Sequence, residues 1–249
     1  MTGVLYIIGL GPGAPELVTP EVTEALAGID DVLGYFPYVA RVPERPGLAR
    51  HASDNGDEIA RARQGLRWAA EGRRVALVSG GDAGVFGMAA AAFEVVEAEP
   101  AFAALDIHVL PGISAMFAAA ARVGAPLGHD FCAISLSDNL KPWTVITRRL
   151  AAAAGAGFVI ALYNPISRAR PWQLDATFDL LRPLLPAATP VVFARAVTRA
   201  DEAITIAPLA TAQGTMADMR SLVIIGTAET RQIPRPDGTA FVYAPRRMA

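Results

Sequence analysis

A glycine-rich loop spans residues 9–14, directly after the apolar run at residues 4–8. An apolar run that ends in glycines is typical of a buried parallel strand followed by a tight turn. The loop fits the dinucleotide-binding pattern G-x-G-x-x-G/A. That motif requires the next helix to open at the loop and to direct its N-terminus at a pyrophosphate. Pro12 and Pro15 interrupt here, and the predicted helix begins only at Pro20, so the sequence argues against a dinucleotide site.

Two further glycine-bearing turns follow predicted strands, one at residues 79–88 and one at residues 111–115. Parallel strands bring their carboxyl ends to one edge of a sheet, where open α/β sheets bind ligands. Each turn also has a purely structural interpretation, with Asp82 as a turn residue and Ser114 as a helix N-cap. Because three such turns occur together, the sequence predicts a ligand site lined by backbone groups at one sheet edge.

The elements that must position these turns alternate between strands and helices, which predicts an α/β fold. Strands are predicted at residues 4–8, 31–35, 75–78, 107–110, 131–136, 157–163, 190–195, 203–206, 222–226 and 241–243. One predicted helix begins at Pro20 with Thr19 as N-cap, and another covers residues 57–71 with Gly72 at its end. A helix that follows the second glycine turn ends at about residue 97, and one that follows the third turn ends at Gly124. Two more helices are predicted over 142–154 and 172–185. Residues 124–128 interrupt the pattern, so we expect an N-terminal α/β domain over 1–122 and a C-terminal α/β domain over 123–249.

Composition narrows the classes of function. The formal net charge of −2 gives no support for nucleic acid as a partner, because phosphate-binding surfaces need clustered positive charge. No stretch approaches the length of an apolar membrane span, and the N-terminus carries no signal-like segment, so we expect a cytoplasmic protein. The three histidines are isolated in sequence and the single cysteine, Cys132, lies in an apolar run, so we expect no metal site and an inert thiol.

The sequence resembles a known family at residues 7–19, 79–88 and 111–115. These segments are similar to the three signature regions of the tetrapyrrole (corrin/porphyrin) methylases, and the resemblance covers nearly the full length of the chain. It implies two α/β domains with an active-site cleft between them, usually a homodimer, and S-adenosylmethionine bound in that cleft largely through backbone groups. The cofactor-binding residues that the resemblance implies are Pro12, Gly80, Gly81, Asp82, Val85, Phe86, Ser114, Ala115, Tyr163, Asn164 and Ala207.

Within this family, residues 34–39, 135–143 and 162–170 resemble the branch that methylates C-17 of precorrin-3B in cobalamin biosynthesis. In that branch, methylation accompanies contraction of the macrocycle. Two of these segments also have structural interpretations, since residues 164–165 could form a strand-end turn and residues 137–139 could cap a helix.

Methyl transfer from a sulfonium mainly requires alignment of the sulfur, the methyl group and the nucleophilic carbon, and it needs no metal. Ring contraction asks for more, because a base must take the proton of a tertiary alcohol while a carbonyl forms. From their motif positions, the polar groups predicted to assist are Asp138, Asn139, Tyr163, Asn164 and Ser167. A precorrin carries several carboxylates, which arginines bind well. The predicted substrate-binding residues are Tyr35, Tyr38, Arg41, Lys141, Arg168 and Arg170.

Alternatives to this assignment remain. Other branches of the family act on a different ring carbon, on a translation factor or on ribosomal RNA, and the near-neutral charge argues against RNA. A nicotinamide-dependent oxidoreductase would rest on the first loop alone, and Asp30 and Asp31 lie at the start of the second predicted strand instead of following it. A non-catalytic tetrapyrrole carrier could share the scaffold, and turnover of labelled S-adenosylmethionine would distinguish it from an enzyme.

Overall fold

The computed structural model describes residues 3–247, and the chain divides into two compact units, Met1–Ala115 and Met116–Ala249. The elements of the first unit are β1 (Val4–Gly9), α1 (Pro20–Ala27), β2 (Asp31–Tyr35), α2 (Phe36–Val39), β3 (Ala49–Ser53), α3 (Glu58–Ala70), β4 (Arg74–Ser79), α4 (Met88–Ala98) and β5 (Asp106–Leu110). Its five strands form one parallel sheet in the order β3-β2-β4-β1-β5.

The sheet of the first unit is covered on both faces, which explains the continuous apolar runs of its central strands. In β1, Leu5 and Ile7 pack into one core cluster with residues of α3 and α4, whereas Ile8 packs into another with Val22 of α1. All four side chains are fully buried. The turns at the carboxyl ends of these strands are therefore anchored on a rigid core.

Local signals explain where the first helices begin and end. The Thr19 hydroxyl caps α1 by accepting the Val22 N–H at 3.2 Å, and Pro20 occupies the first helical position. Gly72, with a φ angle of +92°, lies just beyond α3. The capping signals therefore predicted both boundaries correctly.

The second unit is built around a mixed sheet. Helix α5 (Ala115–Val123) leads into this unit, and the elements that follow are β6 (Gly124–Ala125), β7 (Phe131–Ser135), α6 (Trp143–Gly155), β8 (Val159–Tyr163), α7 (Gln173–Leu181), β9 (Pro190–Arg195), β10 (Ala203–Pro208), β11 (Ser221–Ile225), β12 (Arg231–Pro234) and β13 (Ala240–Tyr243). The main sheet, called the second sheet below, has the order β10-β9-β11-β8-β7, and β12, β13 and β6 form a small additional sheet. Strand β7 is parallel to β8, and β11 is antiparallel to both β8 and β9. The carboxyl ends of β7, β8 and β9 therefore meet at one edge.

The predicted α/β fold is confirmed, with differences at particular elements. Helix α2 and strands β3, β6 and β12 were not predicted. The helix predicted over 172–185 ends at Leu181, because Pro183 has no N–H to continue the hydrogen-bond ladder. Within residues 3–247, no helix combines the length and apolar character needed to cross a bilayer.

Candidate functional site

The first and second glycine turns of the first unit are joined through their backbones. The Gly11 N–H donates to the Gly81 carbonyl at 3.0 Å, and the Gly81 N–H donates back to the Gly11 carbonyl at 2.8 Å. Both glycines have positive φ angles, +69° and +67°, which residues with a Cβ atom adopt only at a cost. The two turns thus form one backbone surface at the carboxyl ends of β1 and β4.

The third turn packs against this pair too closely for any side chain. A Cβ atom at Gly112 would lie 2.2 Å from the Gly81 carbonyl oxygen and 2.5 Å from the Gly9 carbonyl oxygen. A Cβ atom at Gly9 would lie 2.7 Å from the same Gly81 oxygen. Because β1 lies between β4 and β5 in the sheet, the three turns are direct neighbours. The structure therefore brings together the three motifs that the sequence placed at one edge.

The Asp82 carboxylate fastens the second turn to the third. Its Oδ1 atom accepts the Gly84 N–H at 2.8 Å, and its Oδ2 atom accepts the Gly112 N–H at 3.0 Å. Hydrogen bonds to an ionised acceptor are stronger than those between neutral groups. The structural interpretation of Asp82 as a turn residue therefore accounts for both oxygens of its carboxylate.

The other predicted cofactor residues of the first unit lie on these turns or next to them. Pro12 and Ser114 are buried, whereas Val85 and Ala115 are half-buried. Phe86 is 52% exposed and has a φ angle of +54°. Backbone strain at a non-glycine residue is concentrated at functional sites in proteins. Phe86 is thus held, at a cost, in an exposed position beside the joined turns.

Three predicted substrate residues flank the first two turns. The Arg41 guanidinium donates to backbone carbonyls of the first turn, including that of Gly11 at 2.9 Å. The Tyr38 ring packs on Gly80, where a Cβ atom would come within 2.6 Å of ring atom Cε1. Tyr35 meets Tyr38 edge-to-face with 5.6 Å between ring centroids. Arg41 therefore has a structural role in holding the first turn, and its contact with substrate stays a prediction.

In the second unit, predicted catalytic residues lie where β7 and β8 end. Asn164 directly follows β8 and has a φ angle of +50°. Its Nδ2 atom donates to the Ser135 hydroxyl, at the end of β7, at 3.0 Å. The Tyr163 hydroxyl accepts the Met116 N–H, in the first turn of α5, at 3.2 Å. These bonds fix Tyr163 and Asn164 at the carboxyl edge of the second sheet.

The loop after β7 carries two of the predicted catalytic residues, Asp138 and Asn139. Asp138 is half-buried, and the Gln173 Nε2 atom lies 3.4 Å from its Oδ1 atom and 3.3 Å from its Oδ2 atom. Asn139 is exposed. Further along the loop, burial lowers the pKa of the half-buried Lys141 ammonium, and the charge of Arg149 lowers it further. The loop therefore presents a carboxylate, an amide and a cation in sequence.

A tight turn after β8 carries the remaining predicted residues. Ser167 and Arg170 exchange two backbone hydrogen bonds, each 3.1 Å long. The Arg170 Nη1 atom donates to the Asn164 carbonyl at 3.2 Å. Arg168 is exposed within the turn. Cations thus lie on the loops that follow β7 and β8, at the same sheet edge.

Ala207 lies away from this edge. It is a residue of β10, is 7% exposed and pairs with Val191. The register places Val191 level with Ile225, which pairs with Ile160 near the amino end of β8. Tyr163 lies at the opposite end of that strand. The structure therefore does not bring Ala207 to Tyr163, and its predicted contact with a cofactor gains no geometric support.

Residues outside these loops behave as structural elements. Cys132 packs on the core of the second unit, and burial raises the pKa of its thiol, as expected for an inert cysteine. His108 stacks on Tyr6 with 5.4 Å between ring centroids. Over the described part of the chain, no group of three or more His, Cys, Asp or Glu side chains is placed to hold a metal ion.

Sequence reasoning missed two features of the second edge, by which we mean the carboxyl edge of the main sheet in the second unit. Gln173 reaches Asp138 across 35 positions of sequence, and no local pattern signals that contact. The loop after β9 holds two residues with positive φ angles, Ala196 at +46° and Thr198 at +68°. The only signal for that loop was its place after a predicted strand.

Curated proteins resemble this chain over nearly its whole length. A precorrin-3B C(17)-methyltransferase from a Sinorhizobium species is 56% identical over 247 residues, which cover 99% of this chain and 97% of the relative. A probable cobalt-factor III C(17)-methyltransferase from Salmonella typhimurium is 41% identical over 237 residues, covering 91% of this chain and 94% of that one.

Solved structures and family models agree with this similarity. The crystal structure of the methyltransferase CobJ superimposes with a TM-score of 0.94 at 51% identity, covering 98% of this chain and all of the other. The class of protein is defined by its two α/β units and by the glycine turns of the first unit, whose backbones are hydrogen-bonded to each other. The model of the tetrapyrrole (corrin/porphyrin) methylases matches residues 4–213. The chain belongs to this family, as the sequence motifs predicted.

Proposed function

We propose that this protein transfers a methyl group from S-adenosylmethionine to C-17 of a precorrin-3B-type tetrapyrrole and contracts the macrocycle, in cobalamin biosynthesis. The observation that carries the proposal is the 56% identity to a precorrin-3B C(17)-methyltransferase over 99% of this chain. The joined glycine turns support it, because they offer a ligand backbone groups instead of acids and bases.

The first edge, by which we mean the carboxyl edge of the sheet in the first unit, has residues that fit an adenosyl ligand. Gly80 and Gly81 leave the second turn without side chains of its own at these two positions, and the Asp82 carboxylate is already used by the turns. S-adenosylmethionine supplies a methyl group on a sulfonium, and the sulfur leaves with the bonding electron pair as a neutral thioether. Carbonyls of these turns can orient such a methyl group through weak CH···O contacts. Alignment alone contributes up to about 7–11 kcal/mol to lowering a barrier in ideal cases.

The second edge supplies the proton acceptor that ring contraction requires. We assign this role to Asp138, with Asn139, Tyr163, Asn164 and Ser167 as the neighbouring polar groups. The alcohol proton passes to the carboxylate, and the O–H electron pair becomes the second bond of the new carbonyl. One carbon–carbon bond at the alcohol carbon breaks, and its electron pair forms a new bond to the neighbouring ring carbon. The π pair displaced from that ring carbon moves through the conjugated ring to the carbon that bonds the methyl group. One proton leaves and one methyl cation enters, so the charge of the macrocycle is unchanged.

The cations of the second edge are proposed to bind the substrate's acetate and propionate groups. Lys141, Arg168 and Arg170 lie on the loops that follow β7 and β8. Of the two arginines, Arg168 is the more available, because Arg170 donates to the Asn164 carbonyl. Guanidinium groups can bind carboxylates through two parallel hydrogen bonds. We further propose a cytoplasmic homodimer, as the family resemblance implies.

A macrocycle that already contains cobalt is the second candidate substrate. The 41% identity to a probable cobalt-factor III C(17)-methyltransferase favours it. The chemistry asked of the protein is the same in both cases, so the distinction lies in how the substrate is recognised. The larger identity to the relative named for precorrin-3B makes the metal-free macrocycle our first choice.

Incubation with S-adenosylmethionine and either precorrin-3B or cobalt-factor III tests the proposal. We expect a mass gain of one methyl group and an absorption change that signals contraction, with the metal-free substrate turned over faster. A tetrapyrrole carrier would bind without consuming S-adenosylmethionine, and a nicotinamide-dependent oxidoreductase would leave the methyl count unchanged. Either result would contradict the proposed function.

A further inference from the structure

The side chain of Gln173 is buried in an unusual way. It is 1% exposed at the first position of α7. Its Nε2 atom faces both oxygens of Asp138, at 3.4 and 3.3 Å. Its Oε1 atom is buried and has no hydrogen-bond partner among residues 3–247. A buried amide that leaves its acceptor unpaired costs stability, so its presence calls for a functional explanation.

The charge of Asp138 explains which way this amide points. An ionised carboxylate accepts hydrogen bonds and donates none. With the amide reversed, the Gln173 Oε1 atom would face two negatively charged oxygens, which is repulsive. The observed orientation offers the N–H group instead, and among residues 3–247 no other hydrogen-bond donor contacts the Asp138 side chain. The Gln173 amide is therefore the group that holds the Asp138 carboxylate in its observed orientation.

The start of α7 keeps Gln173 in place. Asp175, two residues on, accepts the Gly214 N–H at 2.6 Å. The neighbouring Leu174 is fully buried in the core of the second unit. The free N–H groups of a helix N-terminus also favour nearby negative charge. Gln173 is thus fixed to a rigid element, whereas Asp138 belongs to a loop without regular structure.

We propose that Gln173 is a positioning residue that holds the Asp138 carboxylate in the orientation needed for proton transfer during ring contraction. This inference rests on the proposed function. Gln173 touches neither substrate nor methyl donor in this scheme and acts only through Asp138. Removing its N–H group should slow the chemical step and leave the binding of both substrates nearly unchanged.

The test compares Gln173→Met with Thr189→Val in steady-state kinetics. Methionine keeps the length of the side chain but donates no hydrogen bond. Thr189 lies just before β9 and is 2% exposed, and its Oγ1 atom, like the Gln173 Oε1 atom, is buried without a hydrogen-bond partner among the described residues. We expect Gln173→Met to lower kcat by about 10-fold or more with KM values within about 2-fold, since positioned acid–base groups contribute about 100-fold or more. Thr189→Val should keep the parent kcat.

A double-mutant cycle with Asp138→Asn separates positioning from packing. If Gln173 acts through Asp138, the double variant will be no slower than Asp138→Asn alone. Fully additive losses, or a Gln173→Met variant with the parent kcat, would overturn the inference. A parent chain that turns over neither macrocycle would overturn the proposed function and this inference together, whereas a normal parent with an unaffected variant overturns the inference alone.

Discussion

At the scale of single residues, the first edge depends on the absence of side chains. Gly9, Gly81 and Gly112 come so close that their backbones touch, and the Asp82 carboxylate locks the second turn to the third. Each glycine is therefore needed for the close approach itself. The site owes its shape to these contacts before any ligand binds.

Gly112→Ala tests this dependence. The added methyl group would lie 2.2 Å from the Gly81 carbonyl oxygen, so the third turn must move away from the second. We expect a loss of roughly 1–3 kcal/mol in unfolding free energy, as for other overpacked sites. Calorimetric titration should also show weaker binding of S-adenosylmethionine. The matched control is Gly155→Ala at the end of α6, where an added Cβ atom meets no described residue within 4 Å. Equal behaviour of the two variants would contradict the expectation.

The sequence predicted the residues of this site unevenly. Gly80, Gly81 and Ser114 belong to contiguous motifs after strands, and the strands predict where such motifs gather. Gln173 could not be found in this way, because its partner Asp138 lies on another element and packing alone brings them together. Arg41 was placed near the site by sequence, but its bonds to the first turn depend on three-dimensional geometry.

At the scale of elements, the loop after β9 is held by a network of charges. Arg195, at the end of β9, donates to Asp218 at 2.7 Å, and Asp218 also accepts the Ser221 hydroxyl at 2.9 Å. Glu202 accepts the Thr198 N–H and pairs with Arg122 of α5. Strained residues persist only where the surroundings hold them, as this network does for Ala196 and Thr198.

Asp218→Asn tests the contribution of this network. Burial acts to raise the pKa of Asp218, but hydrogen bonds from Arg195, the Arg220 backbone and Ser221 outweigh it, and the pKa is lowered. A lowered folded-state pKa stabilises the fold above the unfolded value and loses that effect as pH falls through the folded value. The carboxylate is partly exposed, so we expect the variant to lose only about 0.5–1 kcal/mol at neutral pH.

Urea unfolding at about pH 7 and about pH 3 checks this expectation. The difference between the parent and Asp218→Asn should shrink at the lower pH, where the parent carboxylate begins to protonate. Glu24→Gln, at an exposed position of α1, serves as the control and should unfold like the parent. A difference that stays constant with pH would assign the effect to packing instead of charge.

Elements with weak local patterns were the ones that sequence reasoning missed. Strand β3 contains Arg50 and His51 and shows no apolar run, because it lies at the sheet edge and pairs with β2 alone. In α3, Ile59 is 38% exposed whereas Arg61 is only 5% exposed, so a cation lies further inside than an apolar residue. Arg61 takes an inward position because it bonds to the Ser53 hydroxyl at the end of β3, a contact that periodicity does not predict.

At the scale of the whole molecule, the main sheets of the two units differ in the directions of their strands. The first is fully parallel, and its central strands read as apolar runs. The second mixes parallel and antiparallel pairs, yet β7, β8 and β9 still point the same way. In each of these two sheets, the loops that carry the candidate functional residues therefore lie at one edge. That common property made the fold class predictable, while the register that moves Ala207 away from Tyr163 required the structure.

The balance of charge over the molecule leads to a prediction about ionic strength. The chain carries a formal net charge of −2, so a polyanionic tetrapyrrole gains no general attraction and depends on local cations such as Lys141 and Arg168. Salt screens such interactions over about 10 Å at 0.1 M. We expect the KM for the tetrapyrrole to rise roughly 3-fold or more between low and moderate salt. The KM for S-adenosylmethionine, bound largely by backbone groups in our proposal, should change much less.

Variants locate the origin of this salt dependence. Arg168→Gln should raise the KM for the tetrapyrrole at low salt and flatten its dependence on salt, because one screened interaction is gone. Arg235→Gln is the matched control, since that arginine already pairs with Asp237 in the small sheet region. If both variants kept the parent's salt dependence, substrate carboxylates would have to be bound elsewhere. If both flattened it equally, the attraction would arise from overall charge, and the assignment of the loop cations to the substrate would be wrong.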